Sequence, residues 1–85
     1  MATASPQPSP NPNALRFQLN VTLPGTLSFG NAEAADAHPF AKEVFGAAGV
    51  ASIFGVNDFV TVNRTSGAEW EPIIAAVQAA AAEYL

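Results

Sequence analysis

The side chains best suited to metal chemistry lie in one short segment around the single histidine of the sequence. These residues are Glu33, Asp36, His38 and Glu43. One imidazole with carboxylates is a donor set that can hold a divalent cation. The spacing matches no established metal motif, and His38 stands directly before Pro39, where a histidine caps a helix or lies on the surface. We therefore predict no metal site and no cofactor.

Nucleophilic catalysis is the second chemistry that the residue types allow. His38 is the candidate base. Ser28, Ser52 and Thr61 are candidate nucleophiles, but no spacing supports a pair with that base. There is no Gly-x-Ser-x-Gly elbow, no Gly-x-Gly-x-x-Gly run and no phosphate-binding loop. Asp58 has no second acid or base near it in sequence, so the sequence predicts no catalytic residues and a protein that is not an enzyme.

Charge and composition exclude further function classes. The net charge is −4, and the basic residues Arg16, Lys42 and Arg64 lie far apart in sequence, so nucleic acid is a poor partner. No stretch is long and apolar enough to span a bilayer, and the N-terminus lacks the features of a secretory signal. We expect a cytoplasmic protein with no membrane partner. The absence of cysteine removes thiolate nucleophiles, disulfides and cysteine-ligated metal clusters.

The apolar pattern predicts a tail followed by one folded domain. Proline at every second position from 6 to 12 predicts a flexible Pro-rich tail over residues 1–12, which leaves 13–85 as the domain. Alternation of apolar and polar residues predicts a strand over 15–21 and a shorter one around 27–29.

Turn and cap signals place the remaining elements. Asn57-Asp58 predicts a tight hairpin turn between strands at 50–56 and 59–64. Pro39 predicts a helix start with His38 as N-cap, and Gly46 or Gly49 is available to end that helix.

A second helix is predicted to start near Glu69, because an earlier start would leave Pro72 beyond the first turn. Trp70 recurs at helical spacing with the apolar residues that follow it, which favours packing in the core over a role as a partner-binding anchor. The order β-β-α-β-β-α predicts an α+β two-layer sandwich, with an antiparallel sheet of three to four strands and two main helices on one face.

Three segments carry a resemblance to a known family. They read Asn-Pro-Asn-Ala-Leu-Arg-Phe at 11–17, His-Pro-Phe-Ala-Lys-Glu-Val-Phe at 38–45, and a hairpin block at 49–65 that ends in Asp-Phe-Val-Thr-Val-Asn-Arg-Thr. Together with Trp70, they resemble the N-terminal domain of Nfu/NifU-type iron–sulfur cluster scaffold proteins. His38 stands where that family usually has serine. In the family, a Cys-x-x-Cys pair in a separate C-terminal domain holds the cluster, so the resemblance implies a freestanding N-terminal domain that lacks it.

The resemblance implies a non-catalytic protein-interaction module, accessory to iron–sulfur cluster assembly or delivery and unable to ligate a cluster itself. Its partner would be a scaffold or recipient protein. The open sheet face and the sheet edges are the expected contact surfaces, with Lys42, Asp58, Phe59 and Arg64 as candidate partner-binding residues. We expect a monomer or a weak homodimer. Two alternatives stay open: a self-associating structural or regulatory domain, and a small ligand-binding protein with a polar pocket around His38 or Asp58.

Overall fold

A sheet and a layer of helices make up the part of the chain that the structure describes. The structure is a computed structural model, and it describes residues 2–7, 13–23, 25–31, 33–47, 49–65 and 67–85. The sheet has five strands in the order β1-β2-β5-β4-β3, and every neighbouring pair is antiparallel. The elements are β1 (Ala4–Gln7), β2 (Ala14–Leu19), β3 (Leu27–Phe29), α1 (Pro39–Phe45), β4 (Val50–Val56), β5 (Phe59–Arg64) and α2 (Trp70–Tyr84).

The N-terminal segment departs from the sequence-based prediction. Within the expected flexible tail over 1–12, residues Ala4–Gln7 form the edge strand β1 instead. Ala4 is buried, and the side-chain amide of Gln78 donates a hydrogen bond of 3.2 Å to its carbonyl oxygen. This bond fixes β1 to α2, and the added strand raises the strand number from the predicted three or four to five. Residues 8–12 of the predicted tail lie outside the described residues.

The predicted hairpin is confirmed. Strands β4 and β5 pair from Val56 opposite Phe59 to Val50 opposite Arg64, with an irregularity in register near Val50. Asn57 occupies the turn with a φ of 55°. Asparagine tolerates this left-handed conformation better than most residues, which explains its place in a two-residue turn. The hairpin therefore forms where local turn chemistry predicts it.

Both predicted helix starts are confirmed. Helix α1 begins at Pro39 after the N-cap His38, and α2 begins at Trp70 after the N-cap Glu69. Of the two glycines available after α1, Gly49 has the left-handed conformation, with a φ of 93°, whereas Gly46 keeps a helical φ of −64°. The left-handed residue thus lies where the chain enters β4, not at the helix end.

The core lies between the helices and one face of the sheet. Burying a large aliphatic or aromatic side chain contributes roughly 1.5–3 kcal/mol to stability, and such side chains make up most of this core. No polar or charged side chain is buried in the described part of the chain. Because both helices pack on this inner face, the opposite face of the sheet is left open, as predicted. The inner-face and helical core residues include Phe17, Leu19, Phe40, Ala41, Val44, Ile53, Val60, Val62, Ile73, Val77, Ala80 and Ala81.

Candidate protein-interaction surface

The sheet face opposite the helices, called here the outer face, is the surface that the fold leaves uncovered among the described residues. Strand register alone determines which side chains share it, because alternate residues of a strand point to opposite faces. One row crosses all five strands, and a second, shorter row lies beside it. The first row is Gln7, Arg16, Thr61, Phe54 and Ser28, and the second is Ser5, Gln18, Phe59 and Val56.

Arg16 stacks on Phe59 in the middle of the outer face. The guanidinium carbon of Arg16 lies 3.9 Å from the centroid of the Phe59 ring. Phe59 pairs directly with Gln18, so Arg16 is its diagonal neighbour on β2, within reach of a long side chain. A cation over an aromatic face at this distance is attracted by the ring quadrupole. This contact therefore keeps the charged group close to the sheet surface.

The guanidinium of Arg16 has no carboxylate partner in the described part of the chain, which contains every acidic residue of the sequence. No hydrogen bond from its N–H groups reaches a described residue either. Its side chain is exposed to solvent. An arginine carries five N–H donors in a planar fork that matches a carboxylate. The donors of Arg16 are thus positioned by the stack and open to an outside acceptor.

Phe54 is the exposed aromatic residue of the outer face. It retains 42% of its accessible surface, and it lies in the same row as Arg16, with Thr61 between them. Beside this row, the side-chain amide of Asn63 donates a hydrogen bond of 2.9 Å to the Ser52 hydroxyl. This hydrogen bond pairs two polar side chains beside Phe54, whose ring is the exposed apolar group in this part of the face.

The structure places only one of the four predicted partner-binding residues on the outer face. Phe59 lies there, and Asp58 lies at its rim, in the turn between β4 and β5. The backbone carbonyl of Asp58 accepts hydrogen bonds from the Leu19 amide at 2.7 Å and from the Gln18 side chain at 2.9 Å. Asp58 therefore joins the hairpin turn to β2. Its part in partner binding, like that of Phe59, stays a prediction.

The other two predicted residues, Lys42 and Arg64, lie elsewhere. Lys42 is on α1, where its amino group forms an exposed ion pair with Asp36 at 3.6 Å. Arg64 is partly buried, and its guanidinium donates a hydrogen bond of 2.7 Å to the carbonyl of Ala68. The four candidates thus do not form one surface, and a binding role for these two also stays a prediction.

Arg16 is the residue that the sequence reasoning missed. Alternation along β2 places Arg16 and Gln18 on the sheet face away from the core residue Phe17, and this signal can be read from the sequence. The pairing of β2 with β5 cannot be read in the same way, because it joins segments far apart in the chain. Without that register, nothing in the sequence indicates that Arg16 and Phe59 contact each other.

His38 has a structural role in this fold. Its Nδ1 accepts a hydrogen bond of 3.4 Å from the backbone N–H of Ala41, as expected of an N-cap. Its ring centroid lies 5.3 Å from that of Phe29 and 6.4 Å from that of Phe40. Among the described residues, no three histidine or acidic side chains are grouped so that they could hold a metal ion.

A groove lies between the helices. It is an open groove of about 920 Å³, lined by residues that include Lys42, Glu43, Pro72 and Tyr84. The negative charge of Glu83 is the main cause of a raised pKa of the Tyr84 phenol, followed by partial loss of solvation and then by Glu43. The groove's lining carries the carboxylates of Asp36 and Glu43 and the amino group of Lys42 beside alanine, glycine and proline residues.

The fold is a small α+β domain with one sheet face left open, and sequence comparison assigns it to a family. The profile described as "Scaffold protein Nfu/NifU N terminal" matches residues 5–85. The chain therefore belongs to the Nfu/NifU N-terminal family. This confirms the resemblance drawn from the three motif segments.

The curated relatives are much longer than this chain. The "NFU1 iron-sulfur cluster scaffold homolog, mitochondrial" of Drosophila erecta is 40% identical over 70 residues, which is 79% of this chain and 25% of that protein. The protein of the same name from Drosophila willistoni is 39% identical over 67 residues, which is 75% of this chain and 23% of that protein. The chain thus spans about a quarter of the length of these relatives.

Solved structures share the fold. Protein SAV1430 from Staphylococcus aureus superimposes with a TM-score of 0.78 at 27% identity, covering 94% of this chain and 98% of that chain. A NifU-like protein from Saccharomyces cerevisiae gives a TM-score of 0.76 at 21% identity, covering 91% of this chain and 72% of that chain. The second likeness bears on the fold alone.

No helix in the described ranges is long and apolar enough to cross a membrane.

Proposed function

We propose that this domain is a non-catalytic protein-interaction module that assists the assembly or delivery of iron–sulfur clusters by docking onto a scaffold or recipient protein. Its membership of the Nfu/NifU N-terminal family supports this proposal, as do the scaffold names of its relatives. The cluster would be cargo of the partner. This sequence has no cysteine, so the thiolates that usually hold such a cluster would come from another polypeptide segment.

The observation that carries the proposal is the uncovered outer face. A sheet face usually needs a covering layer or a polar surface, and here it presents Phe54 and the stacked pair of Arg16 and Phe59. Aromatic and arginine side chains are enriched at the energetically important centres of protein interfaces. Docking would therefore work through surface complementarity, without a chemical step on this chain.

Calorimetric titration tests this function. The domain is titrated with the Cys-x-x-Cys domain of a scaffold protein from the same organism, in apo and cluster-loaded forms under anaerobic conditions. Saturable heat with a defined stoichiometry supports docking. The absence of binding to both forms contradicts the proposal for this class of partner. Loading the cluster should change the affinity if delivery is the role.

Self-association is the second candidate function, because an uncovered sheet face with an exposed aromatic residue can also pack against a second copy. Sedimentation velocity over a wide concentration range tests it. A mass that rises with concentration supports a weak homodimer, and a constant monomer mass contradicts one.

A cytoplasmic location stays a prediction, since the curated relatives described above are mitochondrial by name.

A further inference from the structure

We propose that the outer face recognises an acidic segment of the partner, in which a carboxylate binds Arg16 and a neighbouring apolar side chain packs on Phe54. This inference rests on the proposed function, and it adds the chemistry of the partner. The site is defined by Arg16, Phe59, Thr61 and Phe54 on strands β2, β5 and β4.

Charge segregation in the molecule is the first argument. Apart from Asp58 at the rim, the acidic side chains lie before α1, on α1 or on α2 and its N-cap. The two rows of the outer face therefore hold one arginine and no carboxylate among neutral side chains, while the other acidic side chains of the molecule lie on the helices or next to them. An acidic partner is repelled by the helical layer and attracted to the outer face, which fixes its orientation.

Preorganisation of Arg16 is the second argument. Binding normally costs side-chain entropy, and a flexible arginine loses much of it when it is ordered. Here the contact with Phe59, at 3.9 Å, already favours a position of the guanidinium over the ring. Its N–H donors meet no acceptor in the described residues. A carboxylate that arrives can thus form a bidentate pair without reorganising the face.

The spacing along the row is the third argument. Arg16 and Phe54 lie on strands separated by β5, and neighbouring strands are about 4.8 Å apart, so the two positions are separated by roughly 10 Å. A partner segment with an acidic and an apolar side chain on one face spans this distance. A second copy of the chain fits less well, because in a two-fold contact the outer face meets itself, and its two rows carry no carboxylate that could bind Arg16.

A pair of synthetic peptides tests this recognition without a scaffold protein. The first alternates Asp with Leu and Phe, and the second replaces every Asp with Asn. Each is titrated to millimolar concentration into the isotope-labelled chain while amide shifts are recorded. We expect saturable shifts at Arg16, Phe54 and Phe59 with the acidic peptide only. No saturable shifts, equal shifts with both peptides, or shifts confined to α1 and α2 would overturn the inference.

Matched variants complete the test. Arg16→Gln and Lys42→Gln each remove one positive charge, so they change the net charge of the chain equally. We expect Arg16→Gln to weaken binding of the acidic peptide about tenfold, which corresponds to the loss of one hydrogen bond to a charged group. Lys42→Gln should leave the affinity for this peptide unchanged. Equal effects of both variants would overturn the inference. Phe54→Ala, an exposed position that folding should tolerate, should weaken the same peptide independently of Arg16.

This test separates the inference from the proposed function. If the scaffold domain binds this chain but the acidic peptide does not bind the outer face, docking stands and the acidic recognition is wrong. If the peptide binds the outer face but the scaffold domain does not bind at all, the recognition chemistry stands and the partner class is wrong.

Discussion

The guanidinium of Arg64 lies 5.3 Å from the centroid of the Trp70 ring, and the same group donates a hydrogen bond of 2.7 Å to the carbonyl of Ala68. Arg64 ends β5, and Trp70 is the first residue of α2. The backbone N–H of Arg64 also donates to the carbonyl of Asn13, at 2.8 Å. One side chain therefore joins the end of the central strand to the start of the last helix.

Replacement of Arg64 should destabilise the domain. Arg64→Ala removes a charged hydrogen bond and the contact with Trp70, and we expect the free energy of unfolding to fall by about 1–3 kcal/mol. Urea unfolding followed by tryptophan fluorescence measures this change. Lys42→Ala is the control, because it breaks an exposed ion pair and should cost less than about 1 kcal/mol. Equal losses in both variants would show that the junction is not stabilised by Arg64.

Gly49 should not tolerate a side chain. Its φ is 93°, and a Cβ atom placed on it would overlap the Cβ atom of Ala68. We expect Gly49→Ala to cost about 1–3 kcal/mol through backbone strain, with the overlap adding to that loss. Thermal unfolding compared with Gly30→Ala provides the measurement, because an added Cβ at Gly30 meets no atom within 4 Å. A Gly49→Ala variant as stable as Gly30→Ala would contradict this account.

The N-cap of α1 can be separated from the ring contacts of His38 by two substitutions. His38→Ala removes both the cap acceptor and the ring, whereas His38→Ser restores an acceptor for the Ala41 N–H. We expect the alanine variant to lose about 0.5–2 kcal/mol and the serine variant to recover most of that loss. Denaturant midpoints of the two variants give the comparison. If serine is as destabilised as alanine, the ring contacts with Phe29 and Phe40 stabilise the domain more than the cap does.

The raised pKa of Tyr84 predicts a specific pH dependence. Its main cause is the charge of Glu83, so Glu83→Gln should lower the pKa of the phenol towards its ordinary value of 10.0. A pKa raised by folding gives a stability contribution that is present below the unfolded pKa and is lost as the pH rises through the folded pKa. Tyr84 is the single tyrosine, so phenolate absorbance reports it directly. If the titration midpoint of the Tyr84 phenol is the same in Glu83→Gln, Glu83 is not the main cause of the raised pKa. Glu33→Gln is the control.

Local signals predicted most of the fold. The turn at Asn57-Asp58 depends on residues that tolerate positive φ, and the start of α1 depends on Pro39 in the first helical position. These preferences act within a few residues, so they can be read from sequence. The same holds for the start of α2 at Trp70, where Pro72 falls within the first turn. The two-layer arrangement then follows from the order of elements.

Long-range pairing could not be predicted in the same way. Proline-rich composition favoured a tail for the segment that forms β1, but Pro6 is tolerated there because β1 is an edge strand. Strand β1 depends on its pairing with β2 and on the hydrogen bond from Gln78. The predicted partner-binding residues do not share one surface for the same reason. Arg64 is engaged by α2, while Arg16 gains its place only when β2 pairs with β5.

The measurement that tests the central claim most directly is an amide chemical-shift map of this chain with the Cys-x-x-Cys scaffold domain of the same organism. It is recorded anaerobically with apo and cluster-loaded partner. The account predicts a saturable set of shifts centred on Arg16, Phe54 and Phe59, with α1 and α2 little affected. The absence of shifts at high partner concentration would contradict docking itself. Saturable shifts confined to the helical layer would contradict the outer face as the site.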